Sequence, residues 1–169
     1  MAETVQQYMQ RILGNVKGRN PLAVLKTTPG KLKSLLHRRS RKQLARRPAP
    51  GKWSVAEIVA HLAETEVACA WRVRMILSEP GTPIQAFDQD KWAAVGRYKR
   101  RDPRQSLEVF RALRHCNLEL LNSLSPRQWK QYGMHQERGK ETVARIAQMF
   151  AGHDVNHLRQ IQNILGKRR

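Results

Sequence analysis

Apolar residues recur at three- and four-residue spacing over four long stretches. No stretch of several residues alternates cleanly between apolar and polar, so the pattern predicts helices and no sheet. Punctuation sets the ends. Asn20-Pro21 reads as a cap followed by proline at the first helical position. Leu22, Leu25, Leu32, Leu35 and Leu36 follow, with Pro29-Gly30 expected to kink or interrupt the helix. After the break Pro48-Ala49-Pro50-Gly51, Ser54 and Glu57 form a capping box for a second helix running to about Leu77. Asp102-Pro103 opens a third helix to about Leu124, and Thr142 caps the last, to about Leu165. A short helix over about Glu3 to Leu13 precedes them. Glu79 to about Lys99 is a long packed connection, and Gly133 to Gly139 is loop. The predicted class is all-α: a four-helix bundle with a long crossover between its second and third helices, plus a short N-terminal helix, in one domain over residues 1–169.

On a helical wheel, Val143, Ile146, Phe150, Ile161, Ile164 and Leu165 form the core stripe of the last helix, and His153 and His157 fall in its middle. Burying unpaired polar groups costs about 1–3 kcal/mol each. Such rings therefore bond to core partners or water, or share a divalent metal. His61 lies at the edge of the second helix's stripe, where it can reach a neighbouring helix. Three imidazoles around one ion leave open positions, the arrangement of a catalytic site. The run His153-Asp154-Val155-Asn156-His157 is similar to the HExxH of zinc proteases, but Asp replaces Glu and no third ligand follows downstream. His37, His115 and His135 read as surface residues.

Arg114 and Asn117 lie inside the stripe of the third helix, and Glu66 inside that of the second. Two readings stand. In one, they line a polar pocket beside the metal, with Arg114 receiving an anionic substrate group. In the other, a buried Glu66–Arg114 bridge fixes helix register. Glu64, one turn from His61, is a candidate acceptor for that ring. Asp88, Asp90 and Trp92 form either a lid or a cap and packing anchor.

Charge adds a second theme. Lys and Arg total 32 against 13 Asp and Glu, a net +19, crowded in His37–Arg47, Arg97–Arg104 and the tail Lys167-Arg168-Arg169. Such a surface attracts polyanions nonspecifically. No zinc-finger, aromatic RNA-binding or helix-turn-helix pattern accompanies it, which leaves a basic nucleic-acid-binding bundle with structural histidines as the competing function. No run is long and apolar enough for a membrane span, and the start lacks the features of a secretory signal. Two distant cysteines, Cys69 and Cys116, exclude a disulfide scaffold, so a reduced, cytoplasmic protein is expected.

Two segments carry a family resemblance: Arg47 to Glu66 (RPAPGKWSVAEIVAHLAETE) and Gly152 to Ile161 (GHDVNHLRQI). The crossover FDQDKWAAVGRYKRRD and the FRALR ending at Arg114 extend it over about Asn20 to Leu165. In order and spacing the chain resembles the DinB-like superfamily. The resemblance implies a four-helix bundle with a divalent metal (Zn, Ni, Mn or Fe) held by His61, His153 and His157, and Gln160 supporting the pair. It implies a metal-dependent hydrolase, or a thiol S-transferase acting on a low-molecular-weight thiol, as in a related mycothiol-dependent maleylpyruvate isomerase. Homodimers are common among such proteins. The strong positive charge departs from the family's usual pattern.

Overall fold

The computed structural model describes residues 3–166, so the basic tail at 167–169 lies outside the described residues. The elements run α1 (Val5–Gly14), α2 (Pro21–Leu36), α3 (Arg41–Ala45), α4 (Val55–Ser78), β1 (Pro83–Ile84), α5 (Gln89–Val95), a 3-10 turn (Tyr98–Arg100), α6 (Pro103–Asn122), α7 (Pro126–Trp129), β2 (Tyr132–His135), β3 (Gly139–Thr142) and α8 (Val143–Gly166). The sequence caps act as read. Asn20 accepts from the N–H groups of Leu22 and Ala23, Ser54 and Glu57 close a capping box, and Asp102 caps α6. The Thr142 hydroxyl accepts from the Arg145 N–H at 3.1 Å, which starts α8.

Helices α2, α4, α6 and α8 form the bundle. Both α4 and α2 pack against α6 and α8, and α1 lies on α8. The core divides into two apolar clusters. One holds Leu25, Cys69, Val73, Ile76, Leu121 and Ile146; the other holds Leu32, Ile58, Leu62, Leu107, Phe110 and Ile161. Between them along the helices comes a buried polar layer: Thr28, Glu66, Arg114, Asn117 and Asp154.

Two sequence expectations need correction. Of the kink or interruption expected at Pro29-Gly30, the interruption does not occur: α2 runs unbroken from Pro21 to Leu36. Proline lacks the N–H that would bond the carbonyl four residues back, so the Leu25 oxygen is left without its helical partner. Arg114 Nη1 donates to that oxygen at 2.9 Å, and a tertiary contact replaces the lost helical one.

The second correction is a small sheet where none was expected. The segment read as a loop at Gly133–Gly139 belongs to an antiparallel hairpin, with Gly133 opposite Glu141 and His135 opposite Gly139, and β1 of the crossover pairs parallel to β2. The strands are two to four residues long, and the hairpin's inward positions are Gly133, His135 and Glu141. Apolar alternation had nothing to detect. The rest of the crossover is packed as expected: Asp88 caps α5, and Trp92 stacks on Phe87 at 4.3 Å between ring centroids. No helix among the described residues is long and apolar enough to cross a membrane.

Gly152 brings α1 into place. A Cβ built on it would lie 2.0 Å from the Ile12 carbonyl oxygen, so only glycine allows α1 to approach α8 this closely. We expect Gly152→Ala to displace α1 and cost about 1–3 kcal/mol, measured by urea denaturation. A substitution at Gly14, which meets no neighbour within 4 Å, should have much less effect.

Candidate metal centre

Three rings from two helices converge. His61 comes from α4, and His153 and His157 stack one turn apart on α8. The Nε2 atoms of His61 and His153 are 3.0 Å apart, and those of His153 and His157 are 3.1 Å apart. All three donor atoms lie within 4.8 Å of one another. This is the set the spacing singled out, brought together as the resemblance implied.

The surroundings fix which nitrogen is free. Gln160 Oε1 lies 2.8 Å from His157 Nδ1. A carbonyl oxygen only accepts, so Nδ1 carries the proton and Nε2 of His157 presents a lone pair. Gln160 thus orients the His157 ring. Trp53, just before the α4 cap, packs its ring 4.9 Å from that of His61. Burial pushes the His61 imidazole down to about 3, with His157 adding to the effect, and burial pushes His157 down to about 4 despite the Gln160 hydrogen bond. His153 is driven well below its ordinary value, again by burial first and then by its two neighbours. All three rings are therefore neutral at pH 7, the form that binds a metal.

Neutral imidazoles whose Nε2 atoms face one another lack enough protons to satisfy every lone pair. A first-row divalent ion resolves this. With nitrogen ligands at about 2.0–2.1 Å, the edges of its coordination polyhedron measure about 2.9 Å in an octahedron and about 3.4 Å in a tetrahedron. Two of the three separations, 3.0 and 3.1 Å, fall in that range, and the third pair lies within 4.8 Å. The donor set fits.

The other predicted site residues go elsewhere. Arg114 is 2% exposed. Nη1 donates to Asp154 Oδ2 at 2.7 Å, and Nη2 donates to Glu66 Oε1 at 2.7 Å and Asp154 Oδ1 at 3.0 Å. Asn117 Nδ2 donates to the other Glu66 oxygen at 3.0 Å. Both terminal nitrogens of the guanidinium are engaged inside the protein, so the reading in which Arg114, Asn117 and Glu66 receive substrate gives way to the register-fixing bridge. The sequence reading missed Asp154 as its third member. Asp154, which stands where HExxH has its Glu, is an ion-pair partner. Glu64 does not serve His61; its carboxylate pairs with Arg101 at 2.6 Å.

A cavity of about 330 Å³ opens beside the histidines. His61 and His153 line one end; α1, the crossover and the hairpin complete its walls. His135, read as a surface loop residue, is 3% exposed and lines this cavity, whereas His37 and His115 are exposed as expected. Arg72 from α4 lines it too and was not singled out in the sequence. Its position on the α4 wheel could have been noticed; the inward turn of His135 depends on the hairpin.

The family follows from comparison. The model of the DinB superfamily matches residues 25–161, and the chain belongs to that superfamily. Two relatives bear the name "Putative metal-dependent hydrolase". YfiT of Bacillus subtilis is 27% identical over 145 residues, covering 85% of this chain and 81% of its own. OB0413 of Oceanobacillus iheyensis is 23% identical over 141 residues, covering 83% and 81%. The solved structure of Bacillus subtilis YfiT, described as having an unusual four-helix bundle topology, superposes with a TM-score of 0.78 at 25% identity over 86% of each chain.

Two outcomes are expected. Arg114→Leu leaves the carboxylates of Glu66 and Asp154 buried without their cation and should cost about 3–5 kcal/mol in urea denaturation, against little change for the exposed Arg111→Ala. In metal-free protein, His61 and His157 stay neutral when folded but take up protons when unfolded below about pH 6.5. Stability should therefore be insensitive to these rings above pH 6.5 and fall as pH drops toward 4, by roughly 2 kcal/mol for each ring at pH 5. His61→Leu should flatten that dependence in denaturation curves taken at pH 7.5 and 5.

Proposed function

We propose that the protein is a divalent-metal-dependent hydrolase acting on a small molecule held in the cavity beside the three histidines. The observation that carries this reading is the convergence of three neutral imidazole nitrogens at the end of a cavity large enough for such a substrate. Membership of a superfamily whose relatives carry metal-dependent hydrolase names supports it.

The chain's own residues have distinct tasks. His61, His153 and His157 would hold the ion through Nε2, with Gln160 fixing the tautomer of His157 and Trp53 holding the His61 ring. A bound divalent ion supplies Lewis acidity and lowers the pKa of a water in its open position. Phe87, Met149 and Phe150 wall the cavity and limit the water that reaches the reacting group. A low-molecular-weight thiol in the open position would be activated in the same way, giving S-transfer in place of hydrolysis.

The test begins with metal content. Purified protein reconstituted separately with Zn, Ni, Mn or Fe should take up one ion per chain, and His153→Ala should lose it. Ester and amide hydrolysis, measured with and without an added small thiol, should fall at least a hundredfold in His153→Ala and on chelation. Equal metal content in the two proteins, or none in either, would defeat the proposal.

A further inference from the structure

The far end of the cavity holds an arrangement that the metal centre does not use. The Glu137 backbone N–H donates to His135 Nδ1 at 3.1 Å. Nδ1 must therefore carry the lone pair, and the neutral ring carries its proton on Nε2. That Nε2 is buried and has no partner among the described residues. A buried N–H donor without an acceptor is uncommon in a folded protein and calls for an explanation.

Arg72, 7% exposed and on the same α4 that carries His61, lines the same cavity and lies near enough to act electrostatically on the His135 ring. Its one hydrogen bond among the described residues runs from Nη2 to the Gln85 carbonyl at 2.9 Å, and its guanidinium lies over the Phe87 ring at 5.4 Å. It forms no ion pair among the described residues. A buried cation without a carboxylate is costly. The other charges lining the cavity are largely accounted for. Arg138 is paired in bidentate fashion with the buried Glu141 at 2.8 Å, Glu3 is held by Arg11 at 2.7 Å, and Glu137 is exposed. Arg72 has no ion pair of its own, and the field of Glu141, which Arg138 holds, offsets its charge only in part. Burial, with Arg138 adding to it, lowers the pKa of Arg72, and burial likewise pushes His135 down to about 4, so the histidine is a neutral donor at pH 7.

We infer that the guanidinium of Arg72 and the Nε2–H of His135 form a subsite for an oxyanion, so that the substrate is a small molecule bearing a carboxylate or phosphate group. One oxygen would accept from the guanidinium and another from the imidazole N–H. Arg72 follows His61 by three turns of α4, about 16 Å of axial rise. The anionic group is thus bound apart from the reacting atom, on a different turn of α4 from the imidazole. The substrate assignment rests on the metal-dependent reading; the subsite does not, and it can be tested without metal.

Metal-free wild-type protein labelled with ¹⁵N-histidine is observed by NMR at pH 7.5 while sodium acetate or inorganic phosphate is added to about 50 mM, with sodium chloride at matched ionic strength as control. His135 should show the Nε2–H tautomer. Its Nε2 resonance should move saturably with acetate, phosphate or both, while His37 and His115 stay in place. The preferred anion identifies the group. Arg72→Gln should weaken the response at least tenfold, and Arg72→Lys should restore part of it. No movement of His135 with either anion, or movement equal to that in chloride, overturns the subsite. So does an unchanged response in a folded Arg72→Gln. Should that variant fail to fold, the wild-type titration decides alone. Adding Zn²⁺ to the same sample reads His61, His153 and His157 separately, so a failed metal reading is distinguishable from a failed anion subsite.

Discussion

A guanidinium held between two carboxylates in the middle of a protein has almost no freedom to move. Shifting Arg114 would strand Glu66, Asp154 and the carbonyl that Pro29 leaves open on α2. One residue of α6 thereby sets the axial positions of α2, α4 and α8 at once. Apolar packing alone is tolerant of small slides between helices, whereas charge-assisted bonds at 2.7–3.0 Å are not. The histidines inherit that precision. Asp154 is the neighbour of His153, and Glu66 lies five residues beyond His61, so the ion-pair layer and the nitrogen trio are two readouts of one helix alignment. The relation is physical economy: a site needing placement within a fraction of an ångström sits next to a buried, charge-assisted network that joins four helices.

The trio itself opposes folding in the absence of an ion. Three uncharged rings are packed with lone pairs directed at one another, and each gives up hydration it would keep in the unfolded chain. Proteins tolerate local conflicts of this kind where surrounding structure over-determines the geometry, and they do so chiefly where function requires it. Here the surrounding structure is the polar layer on one side and Trp53 and Gln160 on the other.

Much of this was legible in the sequence because the signals were local. Caps at Asn20, Ser54, Asp102 and Thr142 need only neighbouring residues, and the stripe containing His153 and His157 follows from helical period alone. His61 required a second helix and came within reach because its edge position still faced a bundle seam. What escaped notice depends on partners distant in sequence. The hairpin buries Gly133, His135 and Glu141, so the alternation that normally reveals a strand was written in residues usually counted as polar or neutral. Pro29 reads as a breaker when only its own helix is considered; the donor that repairs the helix lies 89 residues from Leu25. Asp154 lies in a run whose likeness to the HExxH motif failed on its Asp and its missing third ligand, and its partner on α6 decides its role. Arg114, Asn117 and Glu66 were recognised as interior polar groups, but sequence could not show that they bond chiefly to one another and to Asp154.

The nitrogen donors come from two bundle helices, while much of the cavity wall comes from α1, the crossover and the β2–β3 hairpin. Side chains that line it, such as Phe87 and Glu137, lie outside the rods that carry the imidazoles. A lineage built on this plan is free to explore new substrates by rewriting its peripheral segments. Its reactive apparatus need not be reinvented each time, which suits a scaffold to diversification.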